Sequence, residues 1–385
     1  MGIEKRSVVF VRLALVAGCL FLGARANAQH YKQTNLVSDG AVTAVIPTPD
    51  ASLKNPWGLT RSSTSPWWVA NNGTGTSTLY DGTGTARPLV VTIPAASGTD
   101  PGVPTGAVFN GTPAFELATG KPAVFLFVTE DGTVSGWNPG VDGTHAVVKA
   151  TIPGAVYKGA AIASWHGSWF LYATNFAKGR IDVFDSTFKL LPMGGGHNVN
   201  GHHDGEGDED HRFEDRRIPR GFSPFGIQDI GGDLYVTFAK RDPVTNDDVK
   251  GAGLGFVDVF SPTGRLLRRF EHGPWLNAPW GLALAPTDFG VFSHNLLVGQ
   301  FGSGEIAAYD VATGAFLGKV LQETGTDALT IDGLWALGFG NAATATVGSA
   351  GPFNTPFFTA GLNDEADGLF GTLTPVGEQL LGSGK

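Results

Sequence analysis

Asn55-Pro56-Trp57-Gly58-Leu59, Ser223-Pro224-Phe225-Gly226-Ile227 and Ala278-Pro279-Trp280-Gly281-Leu282 are three forms of one phrase, and each opens a stretch of strand-like sequence. Looser copies lie between them: Pro104-Thr105-Gly106-Ala107-Val108, Lys158-Gly159-Ala160-Ala161-Ile162 and Asp332-Gly333-Leu334-Trp335-Ala336-Leu337. With the glycine as marker, the copies fall at Gly58, Gly106, Gly159, Gly226, Gly281 and Gly333, in steps of 48, 53, 67, 55 and 52 residues. Self-similarity at a period of about 50 residues is the mark of a repeat architecture, and one repeat carries an insertion.

After each marker comes an apolar run without alternation, such as Val124-Phe125-Leu126-Phe127-Val128, Trp169-Phe170-Leu171-Tyr172-Ala173 or Leu234-Tyr235-Val236-Thr237-Phe238. Short runs rich in aromatic and β-branched residues suit strands buried on both faces. A further strand then ends in an aromatic and a turn former, as in Leu79-Tyr80-Asp81-Gly82, Gly136-Trp137-Asn138-Pro139 and Ala308-Tyr309-Asp310. A fourth strand fits Leu89 to Ile93, Val147 to Ile152, Leu266 to Phe270 and Ala315 to Val320. Four antiparallel strands per unit and six units predict an all-β, six-bladed β-propeller. The sixth unit lacks an outer strand after Gly368 to Leu373, so Tyr31 to Val37 is expected to supply it and close the ring.

Composition agrees with this and narrows the partners. Gly accounts for 56 of 385 residues, 42% are apolar and 16% charged, which fits short strands joined by tight turns. Lys5, Arg6 and Arg12, the apolar run Leu13 to Leu22 and Ala26-Asn27-Ala28 read as a signal peptide over residues 1–28, with the propeller occupying 29–385. The expected location is therefore periplasmic or extracellular. Val16-Ala17-Gly18-Cys19 gives a competing reading as a lipobox, with anchoring through Cys19, the only cysteine. Without residues 1–28, 22 basic face 34 acidic residues, a net charge of −12. So acidic a body repels phosphate, and no nucleic-acid partner is expected. No apolar stretch is long enough to span a bilayer, and a monomer is expected.

Tyr31-x-Gln33-Thr34-Asn35-Leu36-Val37-Ser38-Asp39, the phrases at Asn55 and Ala278, Gly253-x-Gly255-Phe256-Val257-Asp258-Val259-Phe260 and Phe358-Thr359-Ala360-Gly361-Leu362-Asn363-Asp364-Glu365 resemble an exported, uncharacterised bacterial family. That family is grouped by the PEP-CTERM sorting tail of some members. The resemblance implies a propeller and an envelope or extracellular location, and brings no catalytic residues. Pro375 to Lys385 holds no Pro-Glu-Pro motif, apolar span or basic cluster, so tail anchoring is not expected. More distantly, the unit is similar to NHL-type and gluconolactonase-like propellers, a likeness of fold.

In such propellers the loops between second and third strands, with those leading into the first strand, gather at one mouth of the channel. Here they carry Asn71, Asn72, Glu130, Asp131, Asn175, Lys240, Gln300, Asp332, Asn363 and Asp364. A ring of carboxylate and amide oxygens suits Ca²⁺ or another divalent cation, which could polarise a carbonyl or activate water in a lactonase-, hydrolase- or lyase-like enzyme. The same residue types are ordinary in tight turns, and the leading expectation is a binding or scaffold protein for a small-molecule, glycan or protein ligand. The insertion, about 194–212, holds His197, His202, His203 and His211 with Asp204, Glu206, Asp208, Glu209 and Asp210, a possible metal site without a fixed zinc spacing. Gly-rich acidic segments of this kind are more often solvated loops. Trp57, Phe225 and Trp280 either stack on a ligand at the mouth or wedge neighbouring blades, the second being the commoner use. His166 reads as a structural histidine within a strand. No nucleophile elbow, Walker loop or dinucleotide fingerprint is present.

Overall fold

The repeated phrase becomes the innermost strand of each of six sheets. In the computed structural model, which describes residues 30–98, 100–192 and 212–376, the sheets form a six-bladed propeller. Blade 1 is Pro56–Thr60, Trp67–Asn71, Thr76–Tyr80 and Ala86–Thr92; blade 2 is Pro104–Phe109, Phe125–Thr129, Thr133–Trp137 and Val147–Thr151. Blade 3 is Tyr157–Trp165, Ser168–Asn175, Arg180–Phe184 and Leu190–Leu191; blade 4 is Phe222–Ile230, Asp233–Lys240, Gly255–Phe260 and Leu266–Arg269. Blade 5 is Pro279–Leu284, Leu296–Gln300, Ile306–Tyr309 and Phe316–Lys319. Within each blade the strands are antiparallel, and each inner strand packs against the inner strands of the blades on either side.

Blade 6 is assembled from both ends of the chain. Leu334–Phe339, Pro356–Gly361 and Asp367–Pro375 are followed by His30–Ser38, which runs antiparallel to the last of them from Tyr31 opposite Pro375 to Ser38 opposite Leu369. The expected closure by the N-terminal strand is thus present. Tyr31 is fully buried, stacks on Phe289 at 5.0 Å and donates its hydroxyl to the Phe289 carbonyl at 3.0 Å. A fifth strand, Leu321–Gln322, runs parallel to His30 and Tyr31 and ties this edge to the chain leaving blade 5.

The phrase itself is a β-bulge repeated in every blade. Pro56 pairs with Asn71 but Leu59 with Val69, and the same slip recurs at Pro104/Ala107, Tyr157/Ala160, Pro224/Ile227, Pro279/Leu282 and Leu334/Leu337. The bulge turns two residues toward the axis, where the blades crowd and the second must be very small. A Cβ on Gly226 would lie 2.1 Å from the Trp280 carbonyl oxygen of the next blade. This register corrects the sixth marker: the residue aligned with Gly58 is Ala336, and Gly333 lies three positions earlier, at φ +61 against the backbone of Gly361. Buried threonines latch neighbouring bulges together, since Thr174 donates to the Phe225 carbonyl and Thr359 to the Trp57 carbonyl, each at 2.7 Å.

Apolar runs fill the spaces between blades. Ala161, Tyr172 and Val183 of blade 3, for example, pack with Phe222, Val236 and Phe238 of blade 4. His166 departs from expectation: it sits at φ 49 in the exposed turn between Trp165 and Ser168. Among the described residues no helix is long and apolar enough to cross a membrane. The proposed signal segment, Cys19 and the histidines of the insertion lie outside the described residues.

Candidate functional site

The residue ahead of the marker points to the axis, and around the ring it is Trp57, Thr105, Lys158, Phe225, Trp280 and Trp335. The aromatics meet one another there instead of wedging blades or facing a ligand. Trp57 and Trp335 stack at 3.5 Å, while Trp280 and Phe225 meet Trp57 edge-on at 6.1 and 6.4 Å. Phe301 stacks on Trp335 at 3.8 Å and Phe176 packs on Phe225 at 5.0 Å. All are buried, so they close the channel with an aromatic plug.

Lys158 breaks that apolar ring, and it organises the mouth above the plug. Its side chain is 2% exposed and its Nζ lies 2.5 Å from Glu130 Oε1, 3.5 Å from Asp247 Oδ1 and 4.8 Å from the Trp57 ring centroid. Its carbonyl accepts the Trp280 indole N–H at 2.9 Å. Burial works against the ammonium, but Glu130, Asp247 and Asp248 outweigh it and hold the pKa above the usual lysine value. The other Glu130 oxygen accepts from Asn72 at 2.9 Å, Asn72 accepts from Asn55 at 3.2 Å, and Asn55 also donates to Glu365 at 2.6 Å and accepts from the Trp335 indole at 3.1 Å. One polar network therefore joins blades 1, 2, 3, 4 and 6 over the plug.

Two loops bring in its remaining members. The connection between the second and third strands of blade 4, residues 241–254, is far longer than its counterparts and reaches across to Lys158 with Asp247 and Asp248. Asp242 holds its turn by accepting from the Val244 and Thr245 amides, and Arg241 donates to Asn246 at 2.7 Å. Asp248 Oδ2 is buried with no hydrogen-bond partner among the described residues. Burial pushes the Asp248 pKa up to about 7 against the pull of Lys158. In blade 6, Asn363, Asp364 and Glu365 take positive φ values of 54, 50 and 69 in succession, a left-handed turn that L-residues adopt at a cost of about 1–2 kcal/mol each. Burial also raises the Glu365 pKa.

Of the mouth residues expected from the sequence, Asn72 and Glu130 join this network. Asn363 and Asp364 lie on the same left-handed turn but point elsewhere: Asn363 donates to Asp367 at 2.8 Å, and the fully exposed Asp364 approaches Lys250 at 3.7 Å. Asp332 accepts the Asn363 amide at 3.0 Å on the surface. Asn175 and Gln300 are fully buried within their blades, Asn175 donating to Asp182 at 2.7 Å and Gln300 accepting from the Asn277 amide at 2.9 Å. Lys240 donates to the Arg220 carbonyl at 3.3 Å and lies over Phe222. These eight side chains do not form one ring of oxygens. Among the described residues no group of three or more His, Cys, Asp and Glu is placed to hold a metal ion, and the Lys158 ammonium stands between Glu130 and Asp247. Lys158, Asp247, Asp248 and Glu365 are additions from the structure. The first was legible in principle, because it fills the aromatic's place in the third copy of the phrase.

No family model matches the chain. It is 34% identical over 370 residues to uncharacterized protein L690 of Acanthamoeba polyphaga mimivirus, covering 93% of this chain and 89% of that protein. Uncharacterized protein R648 of the same virus is 33% identical over 359 residues, covering 91% and 82%. The chain belongs to the family of these proteins. Both of these relatives are viral, and they bring no support for the bacterial, PEP-CTERM-associated grouping suggested by the motifs. Among solved structures, a protein of unknown function from Bacteroides thetaiotaomicron aligns at a TM-score of 0.51 and 10% identity over 89% of this chain and 76% of that one, which bears on fold alone. A streptogramin B lyase aligns at 0.49 and 11% identity over 90% and 98%, too low to carry an argument.

Proposed function

We propose that this propeller is an exported binding protein that takes a ligand bearing a protonated amine at the charged mouth above the aromatic plug. The observation that carries this reading is the buried Oδ2 of Asp248, without a partner among the described residues and flanked by Asp247, which is 68% exposed, and by Glu365. A buried acceptor without a partner is costly, and a donor arriving from solution removes that cost. The carboxylates of Glu130, Asp247, Asp248, Glu365 and Asp364 outnumber Lys158 and Lys250, so the mouth favours a cation. An organic ammonium is preferred over Ca²⁺, because it needs three directed acceptors where Ca²⁺ needs six to eight oxygens. The rigid ring positions the loops without itself reacting, which suits recognition better than the cation-dependent lactonase or lyase alternative. Export rests on the basic start, apolar run and Ala26-Asn27-Ala28 of the first 28 residues.

Titration calorimetry of residues 29–385 with spermidine, with an amino sugar and with CaCl₂ tests the reading. Binding of an amine that weakens at least tenfold in Asp248→Asn supports it. Binding of Ca²⁺ in place of either amine, or of none of the three, overturns the amine assignment. Appearance of a chain starting near Gln29 in the periplasm or medium tests export separately.

A further inference from the structure

The opposite end of the axis is built differently. Below the plug the inner strands diverge around two adjoining cavities of about 370 and 340 Å³ that share Leu59, Thr60, Gln228 and Asp229. Their walls mix apolar side chains, with Leu282, Leu337 and Phe339 on one side and Phe109 and Ile162 on the other, with exposed polar groups. Blades 3 and 4 overrun their neighbours here: their inner strands have nine residues, Tyr157–Trp165 and Phe222–Ile230, where the other four have five or six. The overrun raises one rim of the funnel and sets Trp169 in the wall of the 340 Å³ cavity, 36% exposed.

Three polar groups in that cavity keep hydrogen-bonding capacity. The Gln228 amide and the Trp169 indole N–H have no partner among the described residues, and Asp229 accepts only the Gly232 amide, at 3.3 Å. Arg61, which lines the other cavity, is committed to the Phe339 and Gly340 carbonyls at 2.6 and 2.9 Å. A purely apolar ligand would strip water from Gln228 and Asp229 and replace none of their hydrogen bonds. A ligand with one apolar face and hydroxyls that both donate and accept satisfies the indole face, the amide and the carboxylate together.

We propose that this funnel is a carbohydrate-binding site, with Trp169 stacking on the C–H face of a neutral sugar ring while Gln228 and Asp229 hold its hydroxyls. It lies on the face opposite the amine-binding mouth and does not depend on that reading. The expected ligand is a mono- or disaccharide, because the cavities are of small-molecule size and extend over all six blades.

Saturation-transfer NMR and calorimetry with glucose, N-acetylglucosamine, galactose, maltose and cellobiose test this on residues 29–385. At least one sugar is expected to bind, with affinity falling tenfold or more in Trp169→Ala and Gln228→Ala and largely kept in Trp169→Phe. Spermidine titration of the same variants should be unchanged, which separates the two faces, and unaltered melting temperatures exclude misfolding. Failure of every sugar to bind, or binding that survives both truncations in folded protein, overturns the proposal. Capture of apolar dyes without any sugar overturns it as well.

Discussion

Lys158 and Glu130 form a 2.5 Å ion pair in which the lysine side chain is 2% exposed and the glutamate 24%. The two partners therefore stand differently toward water. Glu130→Ala leaves a buried ammonium with only the 3.5 Å approach of Asp247, and breaking such a pair costs about 3–5 kcal/mol. Lys158→Met removes the charge, packs against Trp57 and Phe176, and leaves a carboxylate that can hydrate. Denaturant midpoints should thus fall further in Glu130→Ala than in Lys158→Met; the reverse order would show that the lysine is not held as described.

Asp248 gives stability a pH dependence. Its native pKa, near 7, lies above that of an unfolded aspartate, so the folded state holds the proton more tightly. Stability from this group is complete below about pH 4 and declines as pH rises toward 7 and past it. Asp248→Asn should be more stable than the parent at pH 8 and match it near pH 4, by thermal melts across that range. Parallel curves at all pH values would contradict the burial of this carboxyl.

At Gly226 the bulge leaves no space for a methyl group. Gly226→Ala drives a Cβ into the Trp280 carbonyl, a clash with backbone that costs about 1–3 kcal/mol. Gly143 has no atom of the described residues within 4 Å of the equivalent point, and Gly143→Ala should stay within about 0.5 kcal/mol of the parent. Equal melting temperatures for the two variants would argue against the repeated bulge.

Ring closure can be tested in two pieces. Removing residues 30–38 exposes the edge of Asp367–Pro375 and empties the Tyr31 site beside Phe289, so the melting temperature should drop by at least about 5 °C. A synthetic peptide of residues 30–38 should restore part of the loss by adding the missing strand. A truncated chain that melts like the full one would remove the closure.

How far the sequence disclosed this arrangement depends on whether a residue acts through its neighbours in the chain or across the ring. Blade number, strand positions and the closing strand follow from local periodicity, and they stand as read. The sixth marker was misplaced because blade 6 carries Ala336 where five blades carry glycine, and Gly333 offered a nearby substitute. The network at the mouth was only half visible. Asn72 and Glu130 lie on short turns fixed by the repeat, whereas Asp247 and Asp248 arrive on a long loop whose reach no spacing rule predicts. Lys158 hid in plain register: it stands in the slot of Trp57, Phe225, Trp280 and Trp335, but facing the axis is a property of the bulge, seen only once strands are paired.

The pairing of Tyr31 with Pro375 also sets a timetable. The first described strand to be synthesised is the outer strand of the last blade, so it stays without its neighbour until nearly all of the chain has been made. Contacts between positions this distant are slow to form and leave an unsatisfied edge while they wait. Under the export proposed above, this delay becomes an advantage: a ring that waits for its last blade stays open, and the strand that completes the structure is also the one that postpones its locking.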